Sequence, residues 1–373
     1  MGGSIRLGSI LGIPLSINYS WFIIFAIVTV SLGSFYFPDR YDWSLAVNWI
    51  IALATSLLFF CSVLAHELTH SVISERMGVP VKGINLFIFG GVSQITREAS
   101  RARNELIMAG AGPASSIVLG LVFLALAFAF RDVSEPVYAL SYWLSIINFS
   151  LGAFNLVPGF PLDGGRVFRS IIWGTTGDYR RATAIAARTG QGVGYLMIFG
   201  GVILIFIGLW PSGIWLALIG WFLENAASSS YRASLLRDML APYTASDVMT
   251  QDCAFIPPET SVRTLVDEHI LRQNRRCFMV ADDGHLRGIV TLYNLRNTPR
   301  SRWQATRVEE IMTPYEKLLV AAPNDSAVSV LERMDENDVN QLPVIENGQV
   351  RGMIGRDNLL RFIRTHAELQ EHD

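Results

Sequence analysis

Two histidines and a glutamate form the pattern in this sequence that most clearly indicates chemistry. The pattern His66-Glu67-x-x-His70 follows a long uncharged run. Residues four apart on a helix share one face, so the two imidazoles can bind one zinc ion. Glu67 can then act as a base toward a water molecule at that ion. Ionisable residues beside an apolar run are costly unless they have a function, so we predict a metal site here rather than a chance match.

A zinc hydrolase site takes three protein ligands and leaves one position open for water. Asp163 is the candidate third ligand beside the apolar part of the chain, and it lies in a stretch rich in proline and glycine, 155–165. Such residues end a helix and let the backbone bend, so that a carboxylate can point inward. The alternative for Asp163 is an ordinary loop aspartate. The remaining histidines are expected on the surface of the charged C-terminal part: His269, His285 and His366.

The elements that must position these residues follow from the composition. Hydrophobic residues make up 51% of the 373 residues, charged residues make up 17%, and the mean hydropathy is +0.34. Charges are sparse up to about Phe222 and dense from Tyr231, which predicts a membrane part followed by a soluble part. A net charge of -2 gives no sign of a nucleic-acid-binding surface. The three cysteines have no CxxC spacing, which argues against a thiolate zinc site: Cys61, Cys253 and Cys277.

We expect six membrane spans within a domain covering residues 1–228, because a span needs about 20 apolar residues. The uncharged runs that supply them are 13–37, 44–65, 106–130, 137–156 and 189–223, the last divided at Trp210-Pro211-Ser212-Gly213. The second helix is predicted to continue through the histidines to about Arg76 and to stop at Gly78-Val79-Pro80. Residues 5–10, before the first run, are interpreted as a short strand or an interfacial arm.

Residues 81–95 are apolar but too short to span a membrane as a helix. They are rich in β-branched and aromatic side chains and are interrupted by Gly90 and Gly91. We therefore predict a short β hairpin or re-entrant segment, with a membrane-surface loop as the alternative.

Basic residues predict the orientation. They are concentrated in the connections 76–103 and 158–188, whereas the opposite side has Arg40 and Arg131. By the positive-inside rule, both termini and the soluble part lie in the cytoplasm, most simply at a plasma (inner) membrane.

The charged part contains an internal repeat. One copy begins at Ala245-Ser246-Asp247-Val248-Met249-Thr250 and the other at Val308-Glu309-Glu310-Ile311-Met312-Thr313. Each copy has an amphipathic helix followed by two short apolar strands, which predicts a two-fold α/β module. The expected boundaries are a linker 229–244, repeats 245–303 and 304–366, and a tail 367–373.

These motifs together resemble a known family. His66-Glu67-x-x-His70, combined with Asn155-x-x-Pro158 and Leu162-Asp163-Gly164, is similar to the site-2 protease family of intramembrane zinc metalloproteases. The repeat resembles a tandem pair of CBS domains, so the chain resembles the CBS-containing branch. The implied fold is a multi-pass α-helical membrane domain followed by an α/β tandem CBS pair.

The resemblance also implies roles for single residues. It implies that His66, His70 and Asp163 bind one Zn²⁺ per chain and that Glu67 is the general base and later the proton donor. It implies that Asn155 helps to hold the substrate backbone or the oxyanion, although a helix-ending asparagine is the alternative.

The resemblance further implies that Gly90-Gly91-Val92-Ser93 is a strand beside the active site, where Gly90, Gly91 and Val92 could pair with an unwound substrate by β-addition. Such pairing fits the chemistry, because a helical peptide bond is shielded by its own hydrogen bonds and must be extended before it can be attacked.

The CBS pair departs from the nucleotide-binding pattern of its family. Members that bind adenine nucleotides usually have an aspartate near the end of each repeat, where this chain has Asn294 and Asn358, and Thr291 is matched by Gly355. Two roles of this module therefore stay open. It binds an adenine nucleotide at Thr291, Asn294 and Asn358, or it serves in substrate docking or dimerisation. We expect a homodimer through this pair.

The sequence thus predicts an intramembrane zinc endopeptidase that cuts a transmembrane or juxtamembrane segment of a membrane protein embedded in the same lipid bilayer. A CBS-regulated metal or ion transporter and a catalytically inert docking scaffold are the alternatives. Transporters tend to show internal repeats among their spans, and none is evident here.

Overall fold

The computed structural model describes residues 4–88, 90–95, 99–273, 275–282, 285–296 and 298–370. The side chains of residues 273, 364 and 366–370 lie outside that description. The chain divides into two compact units, Met1–Ser234 and Leu235–Asp373.

Long helices dominate the first unit. Its elements, with the last helix continuing past the unit, are β1 (Ser4–Ile10), β2 (Ile13–Asn18), α1 (Tyr19–Ser31), α2 (Leu45–Arg76), β3 (Val81–Phe87), β4 (Gly90–Ile95), α3 (Ala102–Phe130), α4 (Glu135–Asn155), α5 (Asp163–Thr176), α6 (Tyr179–Phe206) and α7 (Trp210–Leu240). A short π-helical segment, Leu32–Tyr36, prolongs α1. Among the described residues, five helices are long and apolar enough to cross a membrane: α1 with its π-helical extension, α2, α3, α4 and α6.

Helix α2 carries the histidine motif, and its limits agree with the sequence prediction. Oγ of Ser44 accepts a hydrogen bond from the backbone N–H of Val47 at 3.5 Å and so caps the N-terminus. The helix ends at Arg76 and is followed by Gly78, whose φ of +77° suits glycine. The chain between these two signals is a single helix of 32 residues.

Other predicted boundaries were wrong. The first span was expected from residue 13, but residues 13–18 form β2 and the helix begins at Tyr19. The last uncharged run breaks at residues 207–209, and Trp210 and Pro211 begin α7 rather than divide two helices, as expected for proline at a helix N-terminus.

Helix α7 also covers most of the predicted linker 229–244, which stays a prediction, as does the sixth span. Residues 229–240 of the predicted linker are helical, since neither glycine nor proline interrupts the chain between Gly220 and Pro242. The sixth span falls in the first half of α7, where Glu224 and Asn225 end the apolar run, and this helix is not among the five.

A four-stranded sheet lies beside the helices of the first unit. Its strand order is β1-β2-β3-β4, with β1–β2 and β3–β4 antiparallel and β2–β3 parallel. Within residues 81–95, where a hairpin or re-entrant segment was expected, the described residues form the β3–β4 pair. Strand β4 is the last strand of the sheet and contacts α2, which places it next to the motif helix.

Helix α3 is the hub of the first unit, since it contacts α2, α4 and α5. Small residues permit the close approach of these helices. For example, a Cβ on Gly120 would lie 2.9 Å from the ring of Phe149 on α4. The same helix therefore reaches both the histidines on α2 and the aspartate at the start of α5.

The second unit is an α/β module. Its elements are α8 (Ala245–Val248), β5 (Phe255–Ile256), α9 (Val262–Thr264), α10 (Leu271–Gln273), β6 (Cys277–Asp282), β7 (His285–Thr291), α11 (Leu292–Arg296), α12 (Val308–Ile311), β8 (Thr313–Pro314), α13 (Ala327–Glu336), β9 (Gln341–Glu346), β10 (Gln349–Gly355) and α14 (Arg356–Gln370). A π-helical segment, Leu265–Ile270, joins α9 to α10. Two antiparallel hairpins, β6–β7 and β9–β10, occupy equivalent places in the two repeats.

Each repeat is completed by the opening segment of the other. Strand β8, from the second repeat, pairs with β7 of the first, and Thr250, from the first repeat, forms a bridge with Met353 on β10 of the second. The cores are exchanged in the same way, because Val248 packs in the core of the second repeat and Val308 in that of the first. The limits 245–303 and 304–366 therefore separate the two repeats in sequence, but each folded half also contains a segment from the other repeat.

Candidate metal centre

The structure brings His66, His70 and Asp163 together. Nε2 of His66 and Nε2 of His70 lie 3.1 Å and 3.0 Å from Oδ2 of Asp163, and the two Nε2 atoms lie 3.3 Å apart. The side chains of His66 and His70 are 5% and 6% exposed, so these groups meet away from solvent. Among the described residues they form a cluster of His, Cys, Asp or Glu that could hold a metal ion.

Helix α3 orients both imidazoles through contacts to their Nδ1 atoms. Nδ1 of His70 donates a hydrogen bond to the carbonyl oxygen of Met108 at 2.8 Å, and Nδ1 of His66 lies 2.9 Å from Oγ of Ser116. Since a carbonyl oxygen only accepts, Nδ1 of His70 carries the proton and Nε2 is left with a lone pair in the neutral ring. Backbone and hydroxyl partners of this kind fix the orientation of metal-binding imidazoles.

Gly112 makes room for the imidazoles. A Cβ at this position would overlap Nε2 of His70 and would lie 2.7 Å from Nε2 of His66. Gly112 therefore lies directly against the two ring nitrogens.

Asp163 is delivered by a tightly folded connection between α4 and α5. A Cβ on Gly164 would overlap the backbone of Leu156, and one on Gly165 would overlap the backbone of Gly159. Asp163 is the first residue of α5, so its carboxylate lies at the positive end of that helix. The glycines thus allow the chain to turn back on itself just before Asp163.

The donor set fits a zinc ion. Two imidazole nitrogens and a carboxylate oxygen converge within 3.3 Å of one another, and zinc binds these atom types with three protein ligands in its catalytic sites. The lone pair on Nε2 of His70 faces a carboxylate oxygen at 3.0 Å, an arrangement that is repulsive unless a proton or a cation lies between them. The carboxylate also offsets part of the charge of a dication in a buried site.

Glu67 lies beside this cluster and is held by β4. Oγ of Ser93 donates to Oε2 of Glu67 at 2.8 Å and also lies 3.1 Å from its backbone carbonyl oxygen, and Oγ of Ser71 donates to Oγ of Ser93 at 3.1 Å. A Cβ on Gly91 would overlap Cγ of Glu67. Strand β4 therefore forms a close wall against the predicted general base.

The other predicted site residues are placed as follows. Asn155 is the last residue of α4, half-buried, eight residues before Asp163. Gly90, Gly91 and Val92 lie on β4, and Val92 is 47% exposed.

In the CBS pair, the side chain of Asn294 is engaged internally. Its Oδ1 accepts hydrogen bonds from N and Oγ1 of Thr291 at 2.9 Å and 2.8 Å, and its Nδ2 donates to the carbonyl oxygen of Ile311 at 2.8 Å. Asn358 lies in the first turn of α14, close to Gly355. Asn294 thus joins the two repeats, a role that the sequence analysis did not foresee.

Sequence reasoning did not foresee which residues contact the two histidines or Glu67. They are Ser93, Met108, Gly112 and Ser116. Their contacts join positions 26 to 50 residues apart, and no local pattern signals such contacts.

Comparison with known proteins agrees with this geometry. The profile of Peptidase family M50 matches residues 54–136 and 131–199, and the CBS domain profile matches residues 245–299 and 308–365. The zinc metalloprotease MJ0392 of Methanocaldococcus jannaschii is 30% identical over 371 residues, which cover 100% of this chain and 99% of that protein.

Two further relatives match over nearly their whole length. The protein sll0528 of Synechocystis sp. is 34% identical, covering 98% of this chain and 97% of its own. Rip3 of Mycobacterium tuberculosis is 33% identical, covering 99% and 95%. Among solved structures, the site-2 protease from Methanocaldococcus jannaschii matches with 34% identity and a TM-score of 0.43, covering 62% of this chain and 96% of that one.

These matches give no support to the transporter alternative. The full-length similarity, the two domain profiles and the buried cluster of two histidines and an aspartate agree with one another. The chain belongs to Peptidase family M50, the site-2 protease family of zinc metalloproteases, in its CBS-domain-containing branch.

Proposed function

We propose that this zinc metalloprotease is an intramembrane endopeptidase that cuts a transmembrane or juxtamembrane segment of another membrane protein. The observation that carries the proposal is the place of the candidate metal centre. Two of its ligands, His66 and His70, are buried on α2, a candidate membrane span, and the base Glu67 lies on the same helix. Hydrolytic residues in such a setting act on a peptide bond that is itself in or at the membrane.

The roles of the residues follow from their positions. His66, His70 and Asp163 would hold the zinc ion, which would supply Lewis-acid activation of water. Glu67 accepts the proton of the attacking water on its carboxylate, and the hydrogen bond from Ser93 to Oε2 orients that carboxylate.

Asn155 supplies an amide donor toward the developing oxyanion or the substrate backbone. Its place at the end of α4, just before the turn that delivers Asp163, supports this role.

Strand β4 is the proposed substrate-binding element. It is the last strand of its sheet, so in the part of the chain that the structure describes no strand pairs with its outer edge. An extended substrate segment can add to such an edge through backbone hydrogen bonds. Gly90, Gly91 and Val92 lie on this strand, and Gly91 contacts Glu67. A substrate paired there would be unwound next to the base.

For the CBS pair we propose regulation of the protease or homodimerisation. The hydrogen bonds of Asn294 to Thr291 and Ile311 favour a structural role for this side chain over contact with a nucleotide ribose. We propose that both termini and the CBS pair lie in the cytoplasm of a plasma (inner) membrane, since basic residues are concentrated in the connections on that side.

The decisive test uses Glu67→Gln, with Glu75→Gln as the matched control. Glu75 is an exposed residue on the same helix, two turns beyond Glu67. The Glu67 variant is expected to retain zinc and to lose about 10²-fold or more of its cleavage rate on a reporter membrane protein, because it lacks the general base. The control variant should cleave at the original rate.

The same variants distinguish the alternatives and lead to the substrate. If the Glu67 variant cleaves as fast as the original protein, the proposed mechanism is wrong. A change in metal or ion flux without cleavage would favour a transporter. Comparing membrane proteomes of cells that carry the original protein or the Glu67 variant would then identify the substrate.

A further inference from the structure

A buried ion pair joins two helices that contribute different parts of the metal centre. Glu105 lies in the first turn of α3 and Arg169 lies on α5, and their side chains are 1% and 7% exposed. Nε of Arg169 donates to Oε1 of Glu105 at 2.8 Å, and Nη2 donates to the same oxygen. Helix α3 supplies the contacts that orient the histidines, whereas α5 begins with Asp163.

Arg169 also contacts one aromatic residue that precedes α5 in the chain and one that follows it. Its guanidinium carbon lies 4.9 Å from the ring centroid of Phe160 and 4.8 Å from that of Tyr179, within range of a cation–π interaction. Phe160 belongs to the connection that leads into Asp163, and Tyr179 is the first residue of α6. One side chain thus holds α3, the approach to Asp163 and the start of α6.

Stability alone does not account for this pair. Two buried charges lose their hydration, and apolar residues of similar size often stabilise a protein equally well. A charged pair also imposes a fixed geometry, because Nε and Nη2 of Arg169 must both donate to the carboxylate of Glu105. Oε2 of Glu105 is buried and has no hydrogen-bond partner among the described residues, so the contact through Oε1 carries the compensation of its charge.

We propose that the Glu105–Arg169 pair is a positioning device for the metal centre. Glu105 lies one helical turn before Met108, whose carbonyl oxygen accepts from His70. A displacement of α5 along α3 would therefore move Asp163 while α3 kept the histidines in place. The pair prevents this displacement and keeps Oδ2 of Asp163 about 3 Å from both Nε2 atoms. The proposal rests on the proposed role of Asp163 as a ligand.

Arg166 provides a matched control on the same helix. Its Nε lies 3.9 Å from Oε1 of Glu105, and its side chain is 23% exposed. Arg166→Met therefore removes a nearby positive charge from α5 without removing the close contact.

The test measures zinc affinity of the purified full chain by competition with a chelator, together with the visible spectrum of the Co²⁺-substituted protein. Glu105→Gln, Arg169→Met and the paired variant E105L/R169M are each expected to weaken zinc binding about 10- to 100-fold, as loss of a supporting contact does at other metal centres. Their cobalt spectra should also change. Arg166→Met should stay within about twofold of the original affinity, and the paired variant should keep its thermal unfolding temperature.

Two results would overturn the proposal. If the paired variant binds zinc as tightly as the original protein with an unchanged cobalt spectrum, the pair only stabilises the fold. The same conclusion follows if Arg166→Met weakens binding as much as Arg169→Met does. If Glu105→Gln does not fold, Arg169→Lys serves instead, because it keeps the charge but loses the two-nitrogen contact. Asp163→Ala separates the two hypotheses, since unchanged affinity in that variant would disprove the ligand rather than the pair.

Discussion

Gly112 on α3 lies against His70 on α2 so closely that a single methyl group between them would overlap Nε2 of the imidazole. The atom displaced by such a group is one of the three that converge at the candidate metal centre. The close approach of α3 at Gly112 therefore limits where the His70 imidazole can lie.

Gly112→Ala is expected to weaken zinc binding by about 10- to 100-fold, because His70 or the whole of α3 must shift. Gly110→Ala, two residues earlier on the same helix, is the control, since nothing lies within 4 Å of a Cβ built there. It should bind zinc normally and be as stable as the original or slightly more so. Zinc content and chelator competition measure both variants. If the Gly112 and Gly110 variants bound zinc with equal affinity, α3 would be able to shift at Gly112 without disturbing the metal centre.

Ser93→Ala is expected to lower the turnover rate about tenfold with little change in zinc affinity. The hydroxyl donates to Oε2 of Glu67 at 2.8 Å, and a hydrogen bond to a charged group contributes about 1.5 kcal/mol or more. Ser71→Ala is the control, because Ser71 donates to Ser93 at 3.1 Å while the bond from Ser93 to Glu67 remains. Cleavage of a reporter membrane protein gives the rates. A Ser93 variant as active as the Ser71 variant would contradict the proposed orientation of the base.

Val248→Asp, in the first repeat, should destabilise the core of the second repeat. Val308→Asp, in the second repeat, should destabilise the core of the first. Val248 is buried in the core that contains α13, β9 and β10, and Val308 in the core that contains β6 and β7. A buried unpaired carboxylate is expected to destabilise its core by about 3 kcal/mol or more. Hydrogen exchange followed by mass spectrometry locates the effect. If each variant exchanged faster only in the repeat that contains the substituted residue in sequence, the cores would not be exchanged between the repeats.

Cys277 should resist alkylation in the folded protein. Burial, with a smaller contribution from Cys253, raises the pKa of the Cys277 thiol to about 12. At pH 8 this leaves on the order of 10³-fold less thiolate than an ordinary cysteine has, and thiolate is the reactive form. The rate of iodoacetamide labelling, in a chain whose other two cysteines are serine, measures this in folded and urea-unfolded protein. Similar rates in the two states would contradict the raised pKa of this half-buried thiol.

The sign of the pH dependence follows from the same pKa. The unfolded chain ionises at the ordinary thiol pKa of about 8.5, before the folded chain does. The contribution of Cys277 to the free energy of unfolding is therefore intact below that pH and decreases as the pH rises toward 12. Cys277→Ala should remove this part of the alkaline destabilisation.

Local signals explain which predictions of the fold were right. Both ends of α2 are marked in the sequence, by Ser44 as a cap and by Gly78 after the last turn. The first span was misplaced because lack of charge does not distinguish a strand from a helix. Asn18 marks the true boundary, since its Oδ1 accepts from the backbone N–H of Ser20 at 3.0 Å.

The site was predictable in part for a related reason. His66, Glu67 and His70 are read from their spacing on one helix. The residues that position them are separated from their partners by long stretches of chain, 26 residues for Ser93 and Glu67 and 64 for Arg169 and Glu105. Such contacts result from how the helices pack, and nothing in the local sequence records them.

The exchange of opening segments between the two repeats has a consequence for assembly. A single repeat standing alone would lack the segment that closes its core, and it could obtain one only from a second molecule. Its folding would then be bimolecular and would depend on concentration. With both copies in one chain, the missing segment is always supplied at the high effective concentration set by a short connection. The duplication thus makes folding of this module independent of how much of the protein the membrane contains.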